Sequence, residues 1–144
     1  WDRGLAAAQR FLGLLLDRQV PILAGTDVPF GAIPPGLSIW HELALLVASG
    51  LSPKHALRAA TSDAAKFLGR TDLGRITPGA IADLVILKGN PLMHIPTMPQ
   101  IVQIIHHGCM RQSVDLFSEA KRVLGTVTED PWSKQFQLHA ARAG

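Results

Sequence analysis

With 144 residues, 47% of them apolar and 17% charged, the chain matches roughly one domain of ordinary globular composition, which argues against a disordered chain and a fibrous repeat. Fourteen Lys and Arg against eleven Asp and Glu leave a net charge of +3, and the basic residues are scattered rather than striped, so no nucleic-acid partner is expected. No apolar run approaches the ~20 residues of a membrane helix and the amino end carries no signal-peptide pattern, so a soluble chain with no membrane partner is expected.

Leu5, Ala8, Leu12, Leu15 and Leu16 recur at three- and four-residue steps, which predicts an amphipathic helix over 4–18 with Arg3, Arg10 and Asp17 on its wet side. Because this pattern is already running at Trp1, with no initiator Met, the sequence reads as part of a longer chain. The period then changes. Val20 to Ala24 form a short, continuous apolar run closed by Gly25, the signature of a strand buried on both faces of a parallel sheet. Helix, short link and buried strand together are α/β grammar. Residues 28–36 hold three prolines and two glycines and predict a loop. Ile39, Leu43, Leu46 and Val47 return at helical spacing, with Ser38 as cap and Gly50 as stop. Ser52-Pro53 opens another helix that runs on Ala56, Leu57, Ala60, Ala64, Ala65 and Leu68 to Gly69, with Thr61-Ser62-Asp63 a candidate break.

From Leu73 the texture becomes β. Gly74-Arg75-Ile76, a Pro78-Gly79 turn suited to type II geometry and Leu84 to Leu87 predict one hairpin; Ile101 to Ile105, a His106-His107-Gly108 turn and Cys109 to Arg111 predict a second. Two hairpins alone make a marginal sheet that needs further strands or a helical layer. Leu116, Ala120, Val123 and Leu124 predict a last helix ending at Gly125, and residues 126–144 lose periodicity. Trp1, Trp40 and Trp132 are expected as core or interface anchors. The sole cysteine, Cys109, cannot close an internal disulfide, which makes the cytoplasm the expected compartment; with no Cys-x-x-Cys pattern or nearby cation, a packed, inert thiol is expected.

The most informative position for chemistry is Asp27, in Leu23-Ala24-Gly25-Thr26-Asp27, because α/β folds place ligands and catalytic groups just beyond the carboxyl ends of their parallel strands. Taken alone, the feature is better read as an Asx-turn or a cap for the following loop. His41-Glu42-Leu43-Ala44 starts like a zinc-protease helix, but Leu45 stands where the second histidine belongs. His55 reads as a solvated first-turn residue. Asp83 reads as an acceptor for local backbone donors, and His106-His107 as adjacent turn residues whose side chains point apart and share no metal. No nucleophile elbow or phosphate loop is present.

Gly25-Thr26-Asp27, Glu42-Leu43, Ala56-Leu57-Arg58-Ala59-Ala60-Thr61, Ala64-Ala65 and Leu68-Gly69 occur in one order and spacing. They are followed by Leu73-Gly74-Arg75-Ile76-Thr77-Pro78-Gly79, Ala82-Asp83-Leu84-Val85 and Asn90-Pro91-Leu92. The whole resembles the end of an amidohydrolase-superfamily enzyme, nearest the imidazolonepropionase-like and Xaa-Pro-dipeptidase-like branch, over about residues 5–112. The resemblance implies an α/β chain: residues 1–72 as the last strand and helices of a TIM-type (β/α)8 barrel, residues 73–112 as the C-terminal strands of a small β-sandwich domain, and 113–144 as a closing helix and tail. It implies a metal-dependent hydrolase of carbon–nitrogen bonds in amides, cyclic amides or dipeptide-like small molecules, in which Asp27 is both metal ligand and general base. It also implies a divalent ion, zinc being expected. Val28, Phe30, Ile33 and His41 are the substrate-loop candidates, with packing the plainer role for His41. The family's His-x-His pair, its mid-chain Lys or Glu and its two later histidines have no counterparts here. These 144 residues alone are therefore expected to bind no metal tightly and to be inactive, and to pair with the missing N-terminal part of the same enzyme or with further copies of themselves. The alternative is a non-catalytic binding module that packs its open edges on another chain.

Overall fold

The computed structural model describes residues 2–28, 36, 38–97 and 99–112. Four helices come first: α1 (Asp2–Asp17), α2 (Ser38–Ala48), α3 (Pro53–Ala59) and α4 (Ser62–Phe67). Three strands follow: β1 (Leu84–Leu87), β2 (Ile101–His106) and β3 (Cys109–Gln112).

Helix ends fall where the sequence places the punctuation. At α2, Gly50 (φ +110°) donates to Val47 O at 3.0 Å and Leu51 to Leu46 O at 3.1 Å, the paired bonds of a Schellman cap. Gly69 (φ +70°) closes α4 in the same way, with Gly69 N bonded to Lys66 O and Arg70 N to Ala65 O. Helix α1 makes this cap without a glycine: Gln19 takes φ +56° while Gln19 N meets Leu16 O and Val20 N meets Leu15 O, both at 2.9 Å. The Ser52 hydroxyl accepts from His55 N at the start of α3, and Pro53 fills the first turn where no amide hydrogen is needed. The break foreseen at Thr61-Ser62-Asp63 is real. Thr61 leaves helical geometry at φ −130°, ψ −95°, and its hydroxyl donates back to Leu57 O at 2.7 Å.

The core is helical. Trp40, Leu43 and Leu46 of α2 pack with Leu51 and with Ala56 and Ala59 of α3, whose small side chains let the two helices approach closely. Ile95, from the segment joining β1 to β2, enters the same cluster, and Leu87 of β1 packs against it, so the sheet and helices share one apolar seam. Helix α1 joins through half-buried Leu12 and Leu16 while Phe11 and Leu14 stay 62% and 59% exposed.

The strands depart from the sequence reading in two places. Residues 20–24 run without a β ladder, tied across by Ala24 N to Ala59 O at 3.2 Å. A parallel strand is defined by neighbours on both sides, and the described residues supply none. The first predicted hairpin also does not form. The Thr77–Ala80 turn is there, with Gly79 at φ +86° and Ala80 N on Thr77 O at 3.1 Å, as type II geometry requires. However, residues 73–76 pack Gly74 on the α3–α4 junction instead of pairing with β1. Strand β1 pairs with β2 in an antiparallel ladder, Leu84 opposite Ile105 and Val85 opposite Ile104, and β2 pairs with β3, His106 opposite Cys109. The second hairpin therefore stands, closed by His107 (φ +50°) and Gly108 (φ +76°) as a two-residue type I′ turn. The resulting three-stranded sheet, in the order β1-β2-β3, leaves Val85, Val102 and Met110 more than half exposed. Cys109 is exposed rather than packed, because the edge strand β3 starts beyond the apolar seam. Trp40 is a core anchor as expected; Trp1, Trp132, the helix expected after Leu116 and the tail lie outside the described residues.

Candidate functional site

The site is built where the segment after α1 passes beneath α2. Ala24 is pinned to α3 through Ala59 O, and the next residue, Gly25, points its amide at Glu42 Oε1 of α2 at 3.5 Å. Glu42 is half-buried, and that burial pushes its carboxyl above the ordinary carboxylate range, with the Gly25 amide pulling the other way. Two residues on, Asp27 takes φ +52°, a left-handed conformation that Asp tolerates better than most residues. The turn projects an exposed carboxylate beyond the end of the extended segment. Val28 is half-buried beside it, whereas Phe30 and Ile33 lie outside the described residues.

His41 is 9% exposed and sits on the buried side of α2. Successive helical positions differ by about 100° in direction, so His41 is buried while its neighbour Glu42 reaches the Gly25 turn. Glu42 is the residue that the functional reading of the sequence passed over. It is the sole acid in the mostly apolar stretch Ser38 to Ala48, and a half-buried carboxylate on such a helix is the kind of exception that points to a local donor, here the Gly25 amide.

One carboxylate does not hold a catalytic divalent ion, which takes about three or four protein ligands. Among the described residues, no group of three ligating side chains gathers around Asp27. The group that does form is elsewhere, at the β2–β3 turn: Asp83, His106 and His107. Asp83 does accept local donors, with Oδ1 2.7 Å from His107 N and 3.0 Å from His106 Nδ1. The His107 amide and the His106 ring hold its carboxyl below the usual range. The two rings do not point apart. Their centroids are 4.2 Å apart and their planes 84° from parallel. Side chains alternate faces only along a regular strand, and His107 at φ +50° breaks the alternation. His55 is exposed as expected, with its Nδ1 3.0 Å from the Ser52 hydroxyl.

Beside α1, a cavity of about 460 Å³ opens between Leu5, Phe11, Leu15, Ile22 and Leu45, with Glu42 on its wall. No described helix is long and apolar enough to cross a membrane.

The family model described as "Amidohydrolase family" matches residues 7–127. An imidazolonepropionase from Salinispora arenicola is 37% identical over 102 residues, which cover 65% of this chain and 25% of that protein. An adenine deaminase 2 from Agrobacterium fabrum is 56% identical over 43 residues, 30% of this chain and 7% of its own. Among solved structures, a Xaa-Pro dipeptidase with methionine bound in its active site superimposes with a TM-score of 0.65 at 28% identity, over 73% of this chain and 25% of that one. The chain thus spans about a quarter of the length of the imidazolonepropionase and dipeptidase it matches.

Proposed function

Because the chain belongs to the amidohydrolase family, we propose that it forms the C-terminal portion of a metal-dependent hydrolase that cleaves carbon–nitrogen bonds in small amides, cyclic amides or dipeptide-like substrates. Residues 1–72 then end a (β/α)8 barrel, with 20–26 as its last strand. Residues 73–112 complete a small β-sandwich. The observation that carries this reading is Asp27, an exposed carboxylate held at φ +52° just past the extended segment, inside the matched range.

Asp27 takes the proton that the attacking water gives up when it adds to the amide carbonyl, a task for which an exposed, hydrogen-bond-accepting carboxylate at a strand end is suited. A divalent ion, zinc by expectation, would supply carbonyl polarisation once further ligands from elsewhere in the enzyme join Asp27. The described residues do not complete that set. Glu42 steadies the turn from behind by accepting the Gly25 amide. Val28 and the loop after it, with Phe30 and Ile33, shape substrate choice at the mouth, and His41 supports that wall from within α2. The 144 residues alone hold no ion at Asp27 and are inactive.

The test is Asp27→Asn in the open reading frame that carries this sequence, assayed on cyclic amides and X-Pro dipeptides with added zinc. Loss of a general base predicts a fall in kcat of about 10²- to 10⁴-fold. Activity within a factor of about three of the unsubstituted enzyme, smaller than any loss expected on removing a general base, would overturn the assignment.

A second reading, a non-catalytic module packed on another chain, draws on exposed Phe11 and Leu14 and the apolar cavity beside them. It predicts defined oligomers in sedimentation and no hydrolysis in any assembly.

A further inference from the structure

We propose that Asp83, His106 and His107 form a divalent transition-metal site at the β2–β3 turn, separate from Asp27. The donor atoms already have the spacing of a coordination sphere. His106 Nδ1 is 3.0 Å and His107 Nδ1 3.6 Å from Asp83 Oδ1, and His107 Nδ1 is 3.2 Å from either nitrogen of His106. Donors bound at zinc distances to the corners of a tetrahedron lie about 3.3 Å apart, and the three observed edges bracket that value.

Hydrogen bonding accounts for only part of this packing. The Oδ1 atom of Asp83 already receives the His107 amide and faces His106 Nδ1. If that nitrogen carries the proton toward Asp83, the other nitrogen of the neutral His106 ring keeps an in-plane lone pair with which His107 Nδ1, equidistant from both ring nitrogens, does not line up. A single ion satisfies the carboxylate and both imidazoles at once. Both histidine side chains are about two-thirds exposed (65% and 66%), so their rings are free to turn lone pairs toward a common centre.

The frame is more rigid than the side chains. Asp83 lies one residue before the Leu84–Ile105 pair, which puts it in the cross-strand row of His106 and Cys109. Ala82 O accepts Gly108 N at 3.0 Å, clamping the chain before β1 to the turn. His107 is delivered into the cluster by its left-handed φ of +50°. Two imidazoles and one carboxylate select Zn²⁺, Co²⁺, Ni²⁺ or Cu²⁺ over Mg²⁺ or Ca²⁺, which prefer all-oxygen shells. The ion would staple the entry of β1 to the β2–β3 turn, joining positions 23 and 24 residues apart in sequence.

The experiment is titration of the purified chain with Co²⁺ and Zn²⁺ by absorbance and calorimetry, with circular dichroism confirming that each variant keeps its helices. One ion per chain with micromolar affinity is expected, unchanged in Asp27→Asn, in Cys109→Ser and in His94→Ala, which removes an exposed histidine outside the cluster. His107→Ala, His106→Ala and Asp83→Asn should each weaken it about 10- to 100-fold. Asp83→Asn is decisive, because a flexible His-His pair binds metal equally well without the carboxylate, whereas this site weakens. Equal affinity in Asp83→Asn and the parent, loss of binding in Cys109→Ser, or no saturable binding at millimolar Co²⁺ would each overturn the proposal. None of these outcomes bears on hydrolysis at Asp27, which is tested by its own variant.

Discussion

Among the described glycines, Gly74 is the position at which one methyl group should do the most damage. A Cβ built there stands 2.5 Å from Thr61 O, 2.7 Å from Thr61 C and 2.9 Å from Ser62 N, all backbone atoms of the α3–α4 junction, and the residue has φ +72°. The left-handed conformation costs an alanine about 1–2 kcal/mol, and the stiffer unfolded chain returns about 0.4–1 kcal/mol. An ordinary contact begins at 3.4 Å, so the carbonyl must retreat by roughly 0.9 Å, and forced backbone shifts of this kind cost about 1–3 kcal/mol. The net expectation for Gly74→Ala is a loss of about 2–3 kcal/mol, in the range of specific structural damage rather than surface noise. Gly79 supplies the control, since it has φ +86° and nothing within 4 Å of its virtual Cβ. Gly79→Ala should cost only the conformational part, under about 1.5 kcal/mol. Urea unfolding reads the difference directly, because with a slope near 1–2 kcal/mol per molar the two midpoints should separate by about 1 M. Equal midpoints would refute the inference that the 73–76 segment is seated on Thr61.

Two further outcomes follow from local chemistry. Gln19→Gly should raise thermal stability by about 0.5–1 kcal/mol, because glycine takes the φ of +56° that closes α1 without a Cβ penalty and its added unfolded-state freedom offsets only part of that gain; an unchanged or lower melting temperature would count against this cap. Glu42 bears on pH. Its carboxyl is raised above 4.5 by burial, so the folded state binds more protons than the unfolded state between the two values, and stability falls as pH rises through that window. Glu42→Gln should flatten that decline in unfolding free energy above pH 4.5, and an unaltered slope would show that the side chain is solvated in the native state.

The helices were legible because their signals are local. Periodicity, Ser52-Pro53, Gly50 and Gly69 each act within a few residues, and each does in the structure what it does in the sequence. Pairing was less legible, since it depends on partners far along the chain. Pro78-Gly79 makes its turn, yet a turn ties two flanks into a hairpin only when nothing else competes for them, and here Thr61 and Ser62 claim Gly74. Strand β1 is then left to β2, more than a dozen residues away. The run from Val20 to Ala24 shows the converse. Its composition states what covers it in a complete sheet, whereas its observed backbone reflects only the neighbours among the described residues.

The same contrast separates the two clusters of functional interest. Position alone did not single out Asp27, because a carboxylate after an apolar run also serves as a turn or cap residue; the order of the motifs along the rest of the chain made it the candidate. The Glu42 contact was not legible either, because it meets the Gly25 amide across 17 residues. The histidine pair misled for a sharper reason. Alternation of side chains is a property of extended backbone, and His107 is not extended. The type I′ turn that the His-Gly sequence makes possible, with both central residues at positive φ, brings the two rings together. A turn chosen for hairpin twist therefore also sets the separation of two imidazoles. The preorganisation of the proposed Asp83 site comes from the backbone of that turn. Replacing Gly108 by a residue that resists φ +76° should then disperse the ligands and weaken Co²⁺ binding without touching a donor atom.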